Sequence, residues 1–204
     1  MKATPKLSGT GKMSCPSWSL PAFDTCPGAV NKEGEVSDAC KSCYARKGTY
    51  RFPVVQKLRE HNQADWHRAG WVEEMVAKLK GLNRFRWFDS GDVYSAALAK
   101  KIYRVMKATS CKHWLPTRSY KFASIAAELD RMELLPNVTV RKSSDSVTGE
   151  SIEGNHTSTI IQKAEDFTPG TGKVLCRAYT RKGKCGSCTA CWSKQVHEVT
   201  YISH

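Results

Sequence analysis

No run of about 18 or more apolar residues occurs in the 204-residue chain, so no stretch is expected to span a membrane. The opening residues, MKATPKLSGTGKMSCPSW, have a basic start but no apolar segment behind it, so they are not expected to act as a secretion signal. No low-complexity tract or linker interrupts the sequence. Acidic residues are scarce, 19 against 32 Lys and Arg, which leaves a net charge of +13. That charge is large for a small domain and attracts phosphate backbones, so a nucleic acid or nucleotide is the expected partner class. Hydrophobic content of 40% and charged content of 25% are those of an ordinary globular protein.

Cysteine, by contrast, is plentiful. Nine cysteines, an odd number, with no secretion signal argue against a disulfide scaffold and for a reducing, cytoplasmic setting. Clustered thiols in such a setting bind metal more often than they pair. The first group is Cys26, Cys40 and Cys43, spaced C-x13-C-x2-C, with Cys15 eleven residues upstream. The second is Cys176, Cys185, Cys188 and Cys191, spaced C-x8-C-x2-C-x2-C. In C-x2-C-x2-C one compact loop offers three thiolates, as in ferredoxin-type runs, and a distant cysteine completes four. The small residues of CGSCTACW suit the tight backbone that a [4Fe-4S] cluster needs. Zinc remains an alternative, although its sites more often use two separated C-x2-C knuckles. A three-cysteine first group would leave one iron open to a small molecule. Cys15 is a possible fourth ligand there, and Cys111 reads as a buried free thiol.

The middle of the chain alternates strands and helices. Val72, Met75, Val76 and Leu79 form one apolar stripe at helical spacing. RFRWFDSGD reads as a strand followed by a helix with Leu98, Ile102, Val105 and Met106 on one face. KHWLPTRS and VTVRKSSDS repeat the pattern, with a helix between them that aligns Phe122, Ile125, Leu129 and Met132. Strand centres recur about every 26 residues, the size of a βα unit, which indicates parallel pairing. SWSLPAF is a possible first strand within an otherwise irregular segment 1–25. FPVVQKLREHN reads as a helical turn or two, and TSTIIQ, GKVLC and EVTYIS as late strands. Trp87 and Phe88 are consecutive on a strand, so one of them is expected to be buried. The expected architecture is α/β, one domain of five or six parallel strands forming a partial βα barrel or open sheet. It divides into an N-terminal thiol loop (1–52), a βα core (53–168) and a cysteine-rich C-terminal segment (169–204). Function in such folds gathers at the carboxyl ends of the strands. Those ends are DSGD (Asp89 to Asp92), TRS (Thr117 to Ser119) and SSDS (Ser143 to Ser146), whose plainest role is capping the following helices.

TCPGA, CKSCYARKGTYRFP, RWFDSGDVYS, HWLPTRS and CGSCTACW together resemble a family of small bacteriophage iron–sulfur proteins, over about Trp18 to Trp192. That family in turn resembles a cut-down radical S-adenosylmethionine (SAM) enzyme. The resemblance implies a partial βα barrel and a [4Fe-4S] cluster on Cys26, Cys40 and Cys43, with SAM on its open iron. It also implies SAM contacts from Ser90, Gly91 and Asp92 at one strand tip and from Ser143, Ser144 and Asp145 at another. Arg118 would meet a carboxylate or phosphate. The sequence departs from that pattern in its first cysteine gap of thirteen and in Ser42, which stands where an aromatic residue usually precedes the last cysteine. Three functions remain open: a radical-SAM-type enzyme of a phage-infected cytoplasm acting on a nucleotide or nucleic acid, a non-catalytic iron–sulfur nucleic-acid binder whose Trp, Tyr and Arg residues stack on bases, and a zinc-stapled interaction module.

Overall fold

The computed structural model describes residues 4–31 and 33–203, so the irregular N-terminal segment is tested only from residue 4. Eight strands form one sheet: β1 (Ser8–Gly9), β2 (Pro16–Trp18), β3 (Arg84–Trp87), β4 (Lys112–Thr117), β5 (Val138–Ser143), β6 (Thr157–Ile161), β7 (Lys173–Leu175) and β8 (Glu198–Ile202). Their order across the sheet is β1-β2-β3-β4-β5-β6-β8-β7. Every neighbouring pair is parallel except β1 with β2. The mixed α/β class is therefore as expected, with two differences. Among the described residues there are eight strands rather than five or six, and the two edge strands are not paired with one another, so the described sheet is open. β1, which matches none of the seven runs read as strands from the sequence, makes a short hairpin with β2 inside the segment expected to be irregular.

Five α-helices accompany the sheet: α1 (Asp38–Lys41), α2 (Pro53–Asp65), α3 (Trp71–Leu79), α4 (Ala96–Lys107) and α5 (Ala123–Glu133). The Ser95 hydroxyl caps α4 by accepting the Leu98 N–H at 3.2 Å. Pro53 opens α2, where its missing N–H costs nothing. This helix is longer than the sequence pattern indicated. Its buried residues, Arg59, Asn62 and Asp65, are polar and carry no apolar periodicity. Asn62 nevertheless belongs there: its side-chain amide donates to the carbonyls of Lys6 and Ser19 and its oxygen accepts the Lys6 N–H.

Strand side chains alternate between two faces. Phe85, Trp87, Leu115, Val138 and Val140 pack on one face with Val72, Met75, Leu79, Leu98, Ile102, Ile125 and Leu129 of the helices, forming the main core. Phe122 is the exception to its expected stripe. It stands at the N-terminus of α5 and is exposed. Trp87 and Phe88 are both buried, against the simple alternation, because Phe88 leaves the strand with φ +57° and its N–H turns to the Trp18 carbonyl at 2.8 Å. All six tryptophans are buried, so none stands on the outer surface, although Trp114 lines a cavity.

The opposite face carries Arg86 and Trp114, in register with each other on β3 and β4, and Arg141 on β5. It is covered by the cysteine-rich segment, which is the crossover from β7 to β8. Trp192 of that segment packs on Trp114 and Met13, and its indole N–H donates to the Phe85 carbonyl at 2.9 Å. Arg141 is fully buried beneath it and donates to six backbone carbonyls, including those of Ala190, Cys191, Ser193 and Val196.

Candidate functional site

A cavity of about 420 Å³ opens on this second face towards the carboxyl ends of the strands. Cys40 and Cys43 line one part of its wall and Cys176, Cys185 and Cys191 another. Arg86, Asp89, Arg118 and Ser143 from the strands join them, with Tyr44 and Tyr50 from the first thiol loop and Tyr201 from β8.

The first thiol loop is pinned to the strand tips by specific bonds. The Tyr44 hydroxyl donates to the Asp89 carbonyl at 2.7 Å, and the Tyr50 hydroxyl to the Asp89 carboxylate at 2.5 Å. Arg86 donates to the same carboxylate at 2.9 Å and to Tyr44 at 3.1 Å. The Ala39 N–H donates to the Asp145 carbonyl at 2.9 Å, which ties α1 to the end of β5. The turn after Cys26 lies so close to Arg118 that a Cβ at Gly28 would overlap the Arg118 backbone, which accounts for glycine in TCPGA. Cys26, Cys40 and Cys43 are thereby brought into one neighbourhood, near enough for the charges of Cys40 and Cys43 to act on Cys26.

The rim residues expected to contact SAM divide into two sets. Arg118 and Ser143 line the cavity. Ser90, Gly91, Asp92, Ser144 and Asp145 do not. The Ser90 hydroxyl lies between the Arg59 guanidinium and the Leu20 carbonyl. Gly91, at φ +76°, fits against Leu20 and Thr25. Asp92 accepts the backbone N–H groups of Val93 at 2.7 Å and Arg118 at 2.8 Å, while burial holds its carboxyl above the ordinary range. The Ser144 carbonyl accepts two bonds from Arg118, and Asp145 pairs with Lys121. These five residues brace the strand tips to one another. Arg86, Tyr50 and Tyr201 were not singled out from the sequence. An arginine flanked by aromatic residues, Arg86 in RFRWF, was the available signal, since a buried charge needs a partner.

In the second group, Cys176 follows directly on β7 and its N–H donates to the Thr200 carbonyl at 2.8 Å. The Cys191 sulfur lies 3.2 Å from the Tyr201 hydroxyl. Cys188 is exposed and outside the cavity wall. Cys111 is the buried thiol expected of it, 3.4 Å from the His113 ring.

Burial pushes the Cys26 thiol up to about 12, helped by Asp92, and the Cys15 and Cys191 thiols up to about 11. Reactive cysteines have lowered values, and burial moves these three the other way. A bound metal supplies the positive charge that ionises such thiols. Among the described residues, no three His, Cys, Asp or Glu side chains stand together closely enough to hold one metal ion. A tetrahedral zinc site would need sulfurs about 3.8 Å apart, the edge of a tetrahedron with bonds of about 2.3 Å. A four-iron cluster binds each thiolate to a different iron and so holds its sulfurs farther apart, across a void. The thiols on the cavity wall, Cys40, Cys43, Cys176, Cys185 and Cys191, are not gathered around a single ion, and Cys15 and Cys26 stand off that wall.

A protein-family model described as Gene product 88 matches residues 1–194, and so spans both thiol groups. The chain belongs to the Gene product 88 family. This agrees with the phage-protein resemblance of its motifs. No curated protein and no solved structure matches the chain.

Proposed function

We propose that this Gene product 88 protein is an iron–sulfur protein with a radical-SAM-like partial barrel, acting on a nucleotide or nucleic acid. The observation that carries the reading is that Cys43 and Cys176, 133 positions apart, open onto one cavity at the carboxyl ends of a mostly parallel sheet. Cys26, Cys40 and Cys43 would hold one [4Fe-4S] cluster. Cys176, Cys185 and Cys191, with a fourth thiol, would hold another. When bound and reduced, such a cluster supplies the electron that splits SAM into methionine and a hydrogen-abstracting 5′-deoxyadenosyl radical. The chain's own residues shield the cavity and orient what enters it. Arg118 offers a cation at the wall, and Arg46, Lys47 and Arg51 are exposed beside it on the thiol loop, where they would meet phosphates. Among the described residues no helix is long and apolar enough to cross a membrane.

The second reading, a non-catalytic iron–sulfur protein that binds nucleic acid, is favoured by one observation. Ser90, Gly91 and Asp92, the expected holders of the methionine amino group, are consumed by internal bonds behind the cavity. Anaerobic reconstitution with iron and sulfide tests the shared part. The chain should turn brown, with broad absorbance at about 400 nm, and the Cys40→Ser, Cys43→Ser chain should hold less iron. A colourless chain after reconstitution overturns both readings. Adding SAM and a reductant then separates them: 5′-deoxyadenosine identifies the enzyme, and its absence from a fully loaded chain identifies the binder.

A further inference from the structure

Cys15 lies eleven residues before Cys26 in sequence, yet the fold carries it to the other thiol group. The turn between β1 and β2 folds onto the cysteine-rich crossover by several independent contacts. The Cys185 N–H donates to the Lys12 carbonyl at 2.8 Å. The Lys184 ammonium donates to the Gly11 carbonyl at 2.5 Å. Lys12 sits over the Tyr201 ring, 5.6 Å from its centre. Met13 is buried against Trp114 and Trp192, and Cys15, Cys185 and Cys191 pack together against that apolar cluster.

We propose that Cys15, rather than Cys188, is the fourth thiol of the C-terminal centre, alongside Cys176, Cys185 and Cys191. The proposal rests on the iron–sulfur reading above. Two features distinguish the two candidates. Cys15 shares an apolar shell with Cys185 and Cys191, which excludes water from a cluster, whereas Cys188 is exposed and outside that shell. Cys188 is near Cys185 as well, its N–H donating to the Cys185 carbonyl at 3.2 Å, but it extends the C-x2-C turn towards solvent. The ligand set is then C-x8-C-x5-C from one crossover plus a cysteine 170 positions from Cys185, so the site closes only when the first and last parts of the sheet are both folded.

The test uses a full-length chain in which Cys26, Cys40 and Cys43 are all serine, so that iron reports on the C-terminal centre alone. Cys15→Ser and Cys188→Ser are each added, and iron and sulfide per chain are measured after anaerobic reconstitution. Cys15→Ser should lose most of the iron and Cys188→Ser should retain it. Loss with Cys188→Ser and retention with Cys15→Ser overturns the assignment, as does retention by both. If the parent triple-serine chain takes up no iron while remaining folded by circular dichroism, the iron–sulfur reading of this group has failed, and the assignment with it. Alkylation of the loaded wild-type chain gives a readout free of substitutions. Cys188 should be labelled and Cys15 protected, with Cys15 becoming labelled once a chelator removes the iron. Labelling of Cys15 in the loaded chain overturns the proposal.

Discussion

Replacing Arg141 by methionine should detach the cysteine-rich crossover from the sheet. The Arg141 guanidinium donates to the carbonyls of Ala190 at 2.9 Å, Ser193 at 3.0 Å, Val196 at 2.9 Å and Cys191 at 3.1 Å. Longer bonds reach Thr157 and His197. A hydrogen bond to a charged group contributes about 1.5–3 kcal/mol, and a buried carbonyl left without a donor costs about 1–3 kcal/mol. Four good acceptors would therefore cost several kcal/mol, offset by no longer desolvating a guanidinium, itself worth several kcal/mol. The net loss expected is about 3–5 kcal/mol, the range for removing one partner of a buried charged pair. Much of it should appear locally, because the four closest acceptors all belong to one crossover. Urea unfolding measures the global part. Alkylation of Cys191 in the iron-free chain measures the local part, and a local loss of about 3 kcal/mol accelerates it roughly a hundredfold. A variant within about 1 kcal/mol of the parent, with Cys191 still unreactive, would refute the claim that this arginine holds the crossover in place.

Two further outcomes follow from groups away from the thiols. His113 is fully buried, and burial lowers its pKa from 6.5 to about 4. Its Nδ1 accepts the Trp87 indole N–H at 3.2 Å, so the neutral ring carries its proton on Nε2, directed at the Thr109 hydroxyl 2.8 Å away. Because the folded pKa lies below the unfolded one, the unfolded chain binds the extra proton first. Stability should fall as pH drops from about 6.5 towards 4, by about 3 kcal/mol in all, and thermal melts of His113→Gln should show a shallower slope over that window; an equal slope contradicts the assignment. Gly91→Ala should destabilise by about 2–4 kcal/mol, through the left-handed backbone and overpacking, because its Cβ would come within 2.6 Å of Leu20 and Thr25. A chemical melt within about 0.5 kcal/mol of the parent would show that the turn relaxes freely.

The middle of the fold was legible because its helices and strands obey the two periodicities that burial imposes. α3 and α4 bury the residues their spacing marks, apart from the half-buried Val76, and β3, β4 and β5 fall where the aromatic and β-branched runs stand. Legibility failed where polar groups are buried. α2 hides Arg59 and Asn62 by bonding them to Ser90, Lys6 and Ser19, which are distant in sequence, and Asp65 by pairing it with Arg68, so no periodic apolar stripe marks its length. β1 is two residues long and exists because β2 offers an edge, which local pattern does not encode.

The strand tips show how far a rim motif can mislead. DSGD, TRS and SSDS do gather at one end of the sheet, as parallel topology requires, and helix capping, their plainest role, is not what they do. Ser95 caps α4, and α5 begins at Phe122 without a side-chain cap. The tips instead satisfy one another's orphaned backbone groups: Asp92 takes the Arg118 N–H, Arg118 the Ser144 carbonyl, and Asp145 the Ala39 N–H. A buried backbone group left unpaired costs as much as a lost hydrogen bond, so rim polarity is spent on that need before any reaches a ligand. What remains for the cavity from the tips and loops is Asp89 and Arg118 at the wall, Ser143 at the end of β5, and the thiols. Sequence adjacency grouped Cys15 with Cys26 for the same reason that it credited Asp92 to a ligand. Both assignments treat neighbours along the chain as neighbours in space, and here the β1–β2 turn and the β7–β8 crossover reverse that order.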